Sequence, residues 1–291
     1  MIGQQPVLAA QPNFAYTLIQ YPGATSFTGA FGVNDSGEMV GAYIGQTCPN
    51  TRCGFIYSTG VYVSLSIPNS PNTAAMGIND SGTIVGAYGD LVGGHFPYGY
   101  LYSGGQFTTL DFPGSLWNEA WKINDLGEIV GSYEDTNGIV HGFTYTNGTY
   151  STIDFPGAQS TYAYGVNDAG DIVGLYGTGR NGFLYHDGVF QTVNFPGNSA
   201  SFATAINDAG DIVGLYSDSQ GTFGYLFKGG SFYTIQAFGG LDTEAYGLNG
   251  LDAIVGSASG QGFLAVPTPE PSTLLLFGTG VAGMLRLRRK R

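Results

Sequence analysis

The side chains best equipped for chemistry fall into a repeated set and an irregular set. The repeated set is Asp35, Asp80, Asp125, Asp168 and Asp208, each following an asparagine, with a second acid three residues later at Glu38, Glu128, Asp171 and Asp211. Clustered carboxylate oxygens are what calcium takes as ligands. The same residues also start turns, because Asn and Asp side chains accept hydrogen bonds from backbone N–H groups just ahead of them. A set repeated round a ring is expected to hold its charges apart rather than gather them on one ion. The assignment expected here is therefore turn formation, with no metal and no cofactor.

In the irregular set, His95, His141 and His186 occupy non-equivalent places and show no His-x-x-x-His spacing. The chain has no Gly-x-Ser-x-Gly elbow, phosphate loop or Cys–His pairing, so no catalytic residue is assigned. Asp90, His95, Glu134, Asp135 and His141 all fall between the second and third runs of a repeat, and an enzyme would gather such residues on one face. Trp117 and Trp121 break the repeat within Leu116-Trp117-Asn118-Glu119-Ala120-Trp121-Lys122. Trp117, Asn118 and Glu119 are candidate ligand contacts: an exposed indole stacks on a sugar ring while its polar neighbours hydrogen-bond. Trp121, two residues before Ile123, is expected to share that residue's buried face. Cys48 and Cys53, the only cysteines, are expected to form a local disulfide.

These residues hang on a repeat. Asn167-Asp168-Ala169-Gly170-Asp171-Ile172-Val173-Gly174-Leu175-Tyr176 has relatives starting at Asn34, Asn79, Asn124, Asn207 and, degraded, Asn249, a period of 40–45 residues. Such a period signals a repeat architecture. The motif reads as a tight turn leading into an apolar strand. Each repeat offers four strand-like runs: one into the Asn-Asp turn, the Ile-Val-Gly-x-Tyr run after it, a Gly-Phe or Gly-Tyr run, and an alternating run that ends in Pro-Gly, such as Tyr150 to Phe155. The chain opens with a lone copy of the fourth run, at 16–21, and its last repeat stops after the third. An open array has no reason to be permuted this way, whereas a ring closes by letting the first strand complete the last blade. The expected fold is all-β, a six-bladed β-propeller of four-stranded blades over 14–265, followed by a short C-terminal hydrophobic helix. Forty-nine glycines among many Tyr and Phe fit short strands and tight turns.

The net charge of −12 conceals a division. Arg286, Arg288, Arg289, Lys290 and Arg291 hold five of the nine basic residues, and removing 266–291 leaves four basic side chains against twenty acidic ones. A body so acidic repels phosphate backbones, so nucleic acid is not expected as a partner. Residues 1–13 read as an N-terminal tail or signal-peptide remnant, with Leu8-Ala9-Ala10-Gln11 resembling a cleavage region but no basic or apolar segment before it. Residues 266–291 form a Pro-rich linker, an apolar segment at 273–285 and the basic end, which would stay cytoplasmic and leave the body outside.

Pro269-Glu270-Pro271, the apolar stretch and the Arg-rich end together resemble the PEP-CTERM sorting signal of exported proteins in Gram-negative bacteria that make exopolysaccharide. The resemblance implies an exosortase as partner, Pro269, Glu270 and Pro271 as its recognition element, Arg286 to Arg291 as a basic stop, and transient anchoring in the inner membrane before release to the cell surface or medium. The body resembles the extracellular HAF repeat family through its Asn-Asp-x-Gly-x-x-Val-Gly units, although only His141-Gly142-Phe143 keeps the histidine of the naming triplet. That family implies export and supplies no catalytic residue. The expected function is an exported, non-enzymatic binding or structural module with extracellular polysaccharide as candidate ligand. The alternative is an exported hydrolase or lyase acting on matrix polysaccharide.

Overall fold

The computed structural model describes residues 12–268 except 92, 199 and 241. Residues 1–11 of the tail expected over 1–13, the sorting residues Pro269, Glu270 and Pro271, the C-terminal hydrophobic helix and the basic stop at Arg286, Arg288, Arg289, Lys290 and Arg291 all lie outside the described residues. Within them the regular elements are strands, apart from a single 3-10 turn at Ala237–Gly239.

The strands form an all-β propeller. Three four-stranded antiparallel meanders follow in order, starting at Ala24–Val33, Thr73–Ile78 and Trp117–Ile123. An eight-stranded sheet then joins two further meanders, which start at Thr161–Val166 and Ala200–Ile206, through one parallel bridge between Asn181 and Ser201. A last four-stranded sheet begins with Thr243–Leu248 and is completed by the first strand of the chain, Phe14–Ile19, which pairs antiparallel with Gln261–Pro267. Phe14 lies opposite Pro267, so this final strand runs two residues beyond 265 into the stretch that composition alone gives to the linker.

The residue pattern of the repeat is explained by packing. Phe55, Tyr100, Phe143, Phe183, Tyr225 and Phe263, one from each third run, are all fully buried, and each such ring stabilises by about 1.5–3 kcal/mol. The ring needs room beneath the neighbouring strand, which the glycine of Ile-Val-Gly provides: a Cβ on Gly174 would lie 1.9 Å from the Tyr162 carbonyl oxygen and 2.8 Å from the Phe183 ring. The valine before it faces the next meander, as Val173 does in a cluster with Ala203, Ile206, Ile212 and Tyr225. The aromatic residue before Pro-Gly clamps the following meander by stacking on its tyrosine, with ring centroids 3.7 Å apart for Phe112–Tyr133 and 3.6 Å for Phe155–Tyr176.

Six buried asparagines tie the innermost strands together round the axis. The side-chain amide of Asn34 donates to the carbonyl of Asn79, Asn79 to Asn124, Asn124 to Asn167, Asn167 to Asn207, Asn207 to Asn249, and Asn249 back to Asn34, at 2.9–3.2 Å. Each Oδ1 also accepts the backbone N–H four residues on, as Asn124 does from Glu128 at 2.8 Å. The asparagine thus closes its own turn and the ring together, which is why the motif keeps it even at Asn249, where the aspartate is lost.

Candidate functional site

One residue past five of the six asparagines, aspartates line one mouth of the central channel, with Gly250 in the sixth place. The Asp35 backbone N–H donates to Asp80 Oδ1, Asp80 to Asp125, Asp125 to Asp168, Asp168 to Asp208, and Gly250 to Asp35, at 2.7–2.9 Å. The expectation that repetition spreads these charges apart is corrected. The innermost strands converge at the axis, so carboxylate oxygens of Asp125, Asp168 and Asp208 lie within 4.8 Å of one another. These are the described residues best placed to hold a cation, although one oxygen of each is already engaged by a neighbouring backbone. Burial, and after it the charges of Asp80, Asp168 and Asp208, holds the Asp125 carboxyl above its ordinary pKa.

The opposite half of the channel has a different lining. In every innermost strand the antiparallel register slips by one residue, and the residue left over is the one three positions before the asparagine: Phe31, Met76, Trp121, Tyr164, Thr204 and Tyr246. A bulge leaves its extra residue without a ladder partner and turns the side chain out of the sheet's alternation. All six residues line one cavity of about 330 Å3, within the size range of small-molecule sites. Its aromatic wall packs edge to face, with Trp121 and Tyr164 centroids 4.9 Å apart and Phe31 and Tyr246 5.2 Å apart.

Arg52, Lys122 and Arg180 share this basin, so it collects three of the four basic residues before the tail. The fourth, Lys228, is bound to Asp211 at 2.6 Å and Asp252 at 2.7 Å. Among the described residues no ion pair engages the other three. Arg52 lies 5.8 Å above the Phe27 ring and Arg180 5.9 Å above Phe202. Arg52 adjoins the Cys48–Cys53 disulfide, which spans the register slip within the strand Cys48–Ser58 that carries it. Lys122 stands where the other five innermost strands have Gly32, Gly77, Gly165, Ala205 and Gly247, a waist so narrow that a Cβ on Gly77 would lie 2.9 Å from Lys122 Cα. Its ammonium donates to the carbonyl of the bulged Met76 at 2.9 Å. Burial with no anionic partner lowers its pKa to about 7. Glu244 is the one carboxylate in the lining, and it accepts from the Tyr246 hydroxyl.

The expected exposure of Trp117 is also corrected. Trp117, Asn118 and Glu119 are 2%, 0% and 4% exposed. Trp117 stacks on His95 with centroids 4.0 Å apart, the Asn118 side chain accepts from the Gly99 N–H at 3.1 Å, and Glu119 accepts from the Phe96 N–H at 2.9 Å. These residues fasten the segment before Tyr98–Ser103 rather than offer a sugar platform. Trp121 instead faces the cavity, and its indole N–H is buried with no acceptor among the described residues. The histidines do not converge: His95 pairs with Glu119, which raises its pKa, His141 with Asp154 at 2.8 Å, and His186 with Asp171 at 2.5 Å.

Residues 267–290 match the PEP-CTERM protein-sorting motif. The motif implies an exported protein, transiently anchored in the membrane and processed by an exosortase. Among the described residues no helix is long and apolar enough to cross a membrane. No curated protein matches the chain. Similar solved structures include virginiamycin B lyase from Staphylococcus aureus, 13% identical with TM-score 0.52 over 88% of this chain and 100% of that one. A lectin of Aleuria aurantia, in complex with a fucosylated sugar, is 14% identical with TM-score 0.51 over 85% of this chain and 99% of that one. A putative gluconolactonase is 11% identical with TM-score 0.54 over 88% of this chain and 92% of that one. At such identities the likeness is one of fold, and a lyase, a lectin and a putative lactonase on one fold leave function to the side chains.

Proposed function

We propose that this exported protein is a non-enzymatic binding module whose channel basin takes an acidic saccharide of the extracellular matrix. It is carried on six blades, the eight-stranded sheet counting as two that share one bridge. On this reading residues 14–265 are the HAF-like body, and the mature protein acts at the cell surface or beyond after the exosortase removes the tail.

The observation that carries the reading is the placement of cations. A body with twenty acidic and four basic residues puts three of the four, none ion-paired, into one aromatic-walled cavity. Aromatic faces suit the apolar faces of sugar rings, and arginine forks suit carboxylates. The orphaned indole N–H of Trp121 adds a donor that a ligand oxygen would satisfy. A catalytic reading gains little from the histidines, each of which is engaged by a nearby carboxylate.

Calorimetric titration of the protein with oligogalacturonate and with a neutral cello-oligosaccharide tests this. The acidic oligomer is expected to bind and the neutral one to bind much more weakly. Arg52→Ala with Arg180→Ala is expected to weaken binding roughly tenfold to a hundredfold, since hydrogen bonds to charged groups contribute about 1.5–3 kcal/mol. Equal binding of both oligomers, or no effect of the double variant, would overturn the reading. Release of new reducing or unsaturated ends would replace it with the hydrolase or lyase alternative.

A further inference from the structure

We infer that Lys122 is a carbonyl-capturing amine: it forms a reversible imine with an aldehyde or 2-oxo group at the end of an acidic sugar held in the basin. This rests on the basin being the ligand site, and it specifies which part of the ligand enters, a chain end bearing a carbonyl rather than an internal segment.

The placement of Lys122 makes the case. Five of the six strands put glycine or alanine at the waist, where backbones nearly touch, and the sixth puts in a long, flexible amine-bearing side chain. Lys122 lines both the basin and the smaller void next to it along the channel. It stands where the two meet, so a ligand end that reaches past the aromatic wall of the basin would meet it. A lysine needed for stability alone would be expected to carry a carboxylate partner, as Lys228 does with Asp211 and Asp252. Among the described residues the Lys122 nitrogen has the Met76 carbonyl as its partner, which orients it without fixing its proton. Lys122 is half-buried, and the desolvation that lowers its pKa to about 7 raises its neutral fraction, which is the nucleophilic form of lysine. Arg52 and Arg180, on the wall of the same basin, would hold a carboxylate adjacent to the carbonyl.

The step balances without an oxidant or reductant. The Nζ lone pair attacks the carbonyl carbon and a C–N bond forms. The nitrogen then loses its protons as the carbonyl oxygen leaves as water, giving a C=N bond that water can hydrolyse back to amine and carbonyl.

Glyoxylate with cyanoborohydride at neutral pH, followed by peptide mass spectrometry of the full chain, is the test. Hydride reduction of the imine would leave a stable carboxymethyl group. Lys122 is expected to be labelled at least about tenfold faster than Lys228, which its two carboxylates keep protonated. Labelling at that peptide should vanish in Lys122→Arg and in Lys122→Met, two variants that respectively keep and remove the charge. Equal labelling of the lysines, or none at Lys122, would overturn the inference. Oligogalacturonate titration of the same samples separates the two readings: binding without selective labelling removes the imine and leaves the acidic-sugar site, whereas selective labelling without binding removes the acidic-sugar assignment and leaves the reactive amine.

Discussion

The two ends of the channel are built from the same innermost strands, a few residues apart, and they treat repetition in opposite ways. At the acidic mouth every strand supplies asparagine and all but one supply aspartate, and these side chains are spent on neighbouring backbone groups. In the basin the equivalent bulged position holds Phe, Met, Trp, Tyr, Thr or Tyr, and the next holds glycine or alanine with one lysine. A residue kept identical round a ring serves the contact that every blade makes with the next. A position whose backbone geometry repeats while its side chain varies is free to build one asymmetric surface, which is what recognition of a single ligand needs. On the proposed function the basin is the ligand-binding end, although the mouth is the more conspicuous in the sequence.

The sharpest way to break this comparison is to damage each end and read both stability and binding. Asn124→Ala deletes the donor to the Asn167 carbonyl and the acceptor of the Glu128 N–H, at 2.9 and 2.8 Å. The buried Asn167 carbonyl left unsatisfied costs about 1–3 kcal/mol, and the part-buried Glu128 N–H adds less. A clear fall in Tm is expected, with oligogalacturonate affinity unchanged below the transition. Trp121→Leu is expected to do the converse, weakening that affinity about tenfold through loss of the flat indole, with a smaller Tm change than Asn124→Ala. If the mouth variant loses binding while the basin variant keeps it, the two ends have been assigned the wrong way round.

Much of the fold was legible because its signals are local or periodic. The Asn-Asp turns, the Ile-Val-Gly strands and the lone first strand that pairs with the last all follow from spacing. The site was not legible for two physical reasons. A period along the chain carries no information about distance from the axis, so the convergence of Asp125, Asp168 and Asp208 could not be seen. A bulge, moreover, inserts one residue and reverses the alternation beyond it. Trp121, read at period two with Ile123, belongs to the buried face; with a bulge at Trp121 it turns into the channel. One signal was available and unused: Arg52, Lys122, Arg180 and Lys228 are the only basic residues before the tail, and in so acidic a body each of them invites the question of what it faces.

The smallest effect tests whether the mouth is held together despite its charge. Asp125 has its pKa raised in the folded protein, by burial first and by Asp80, Asp168 and Asp208 after it. A carboxyl with a raised folded pKa is more protonated folded than unfolded between the two values, so its contribution to stability rises as pH falls through the folded value and levels off below the unfolded one, near about 3.9. At neutral pH the ionised group works against the fold. Asp125→Asn keeps an acceptor for the Asp80 N–H, which donates to Asp125 at 2.7 Å, and removes the charge. Thermal unfolding across the mildly acidic range should show Tm of the variant slightly above the parent at neutral pH, within about 0.5 kcal/mol, with the gap closing on acidification. A variant less stable than the parent at neutral pH would mean that the carboxylate charge itself holds the mouth together, and the contrast between a structural mouth and a functional basin would then lose its electrostatic half.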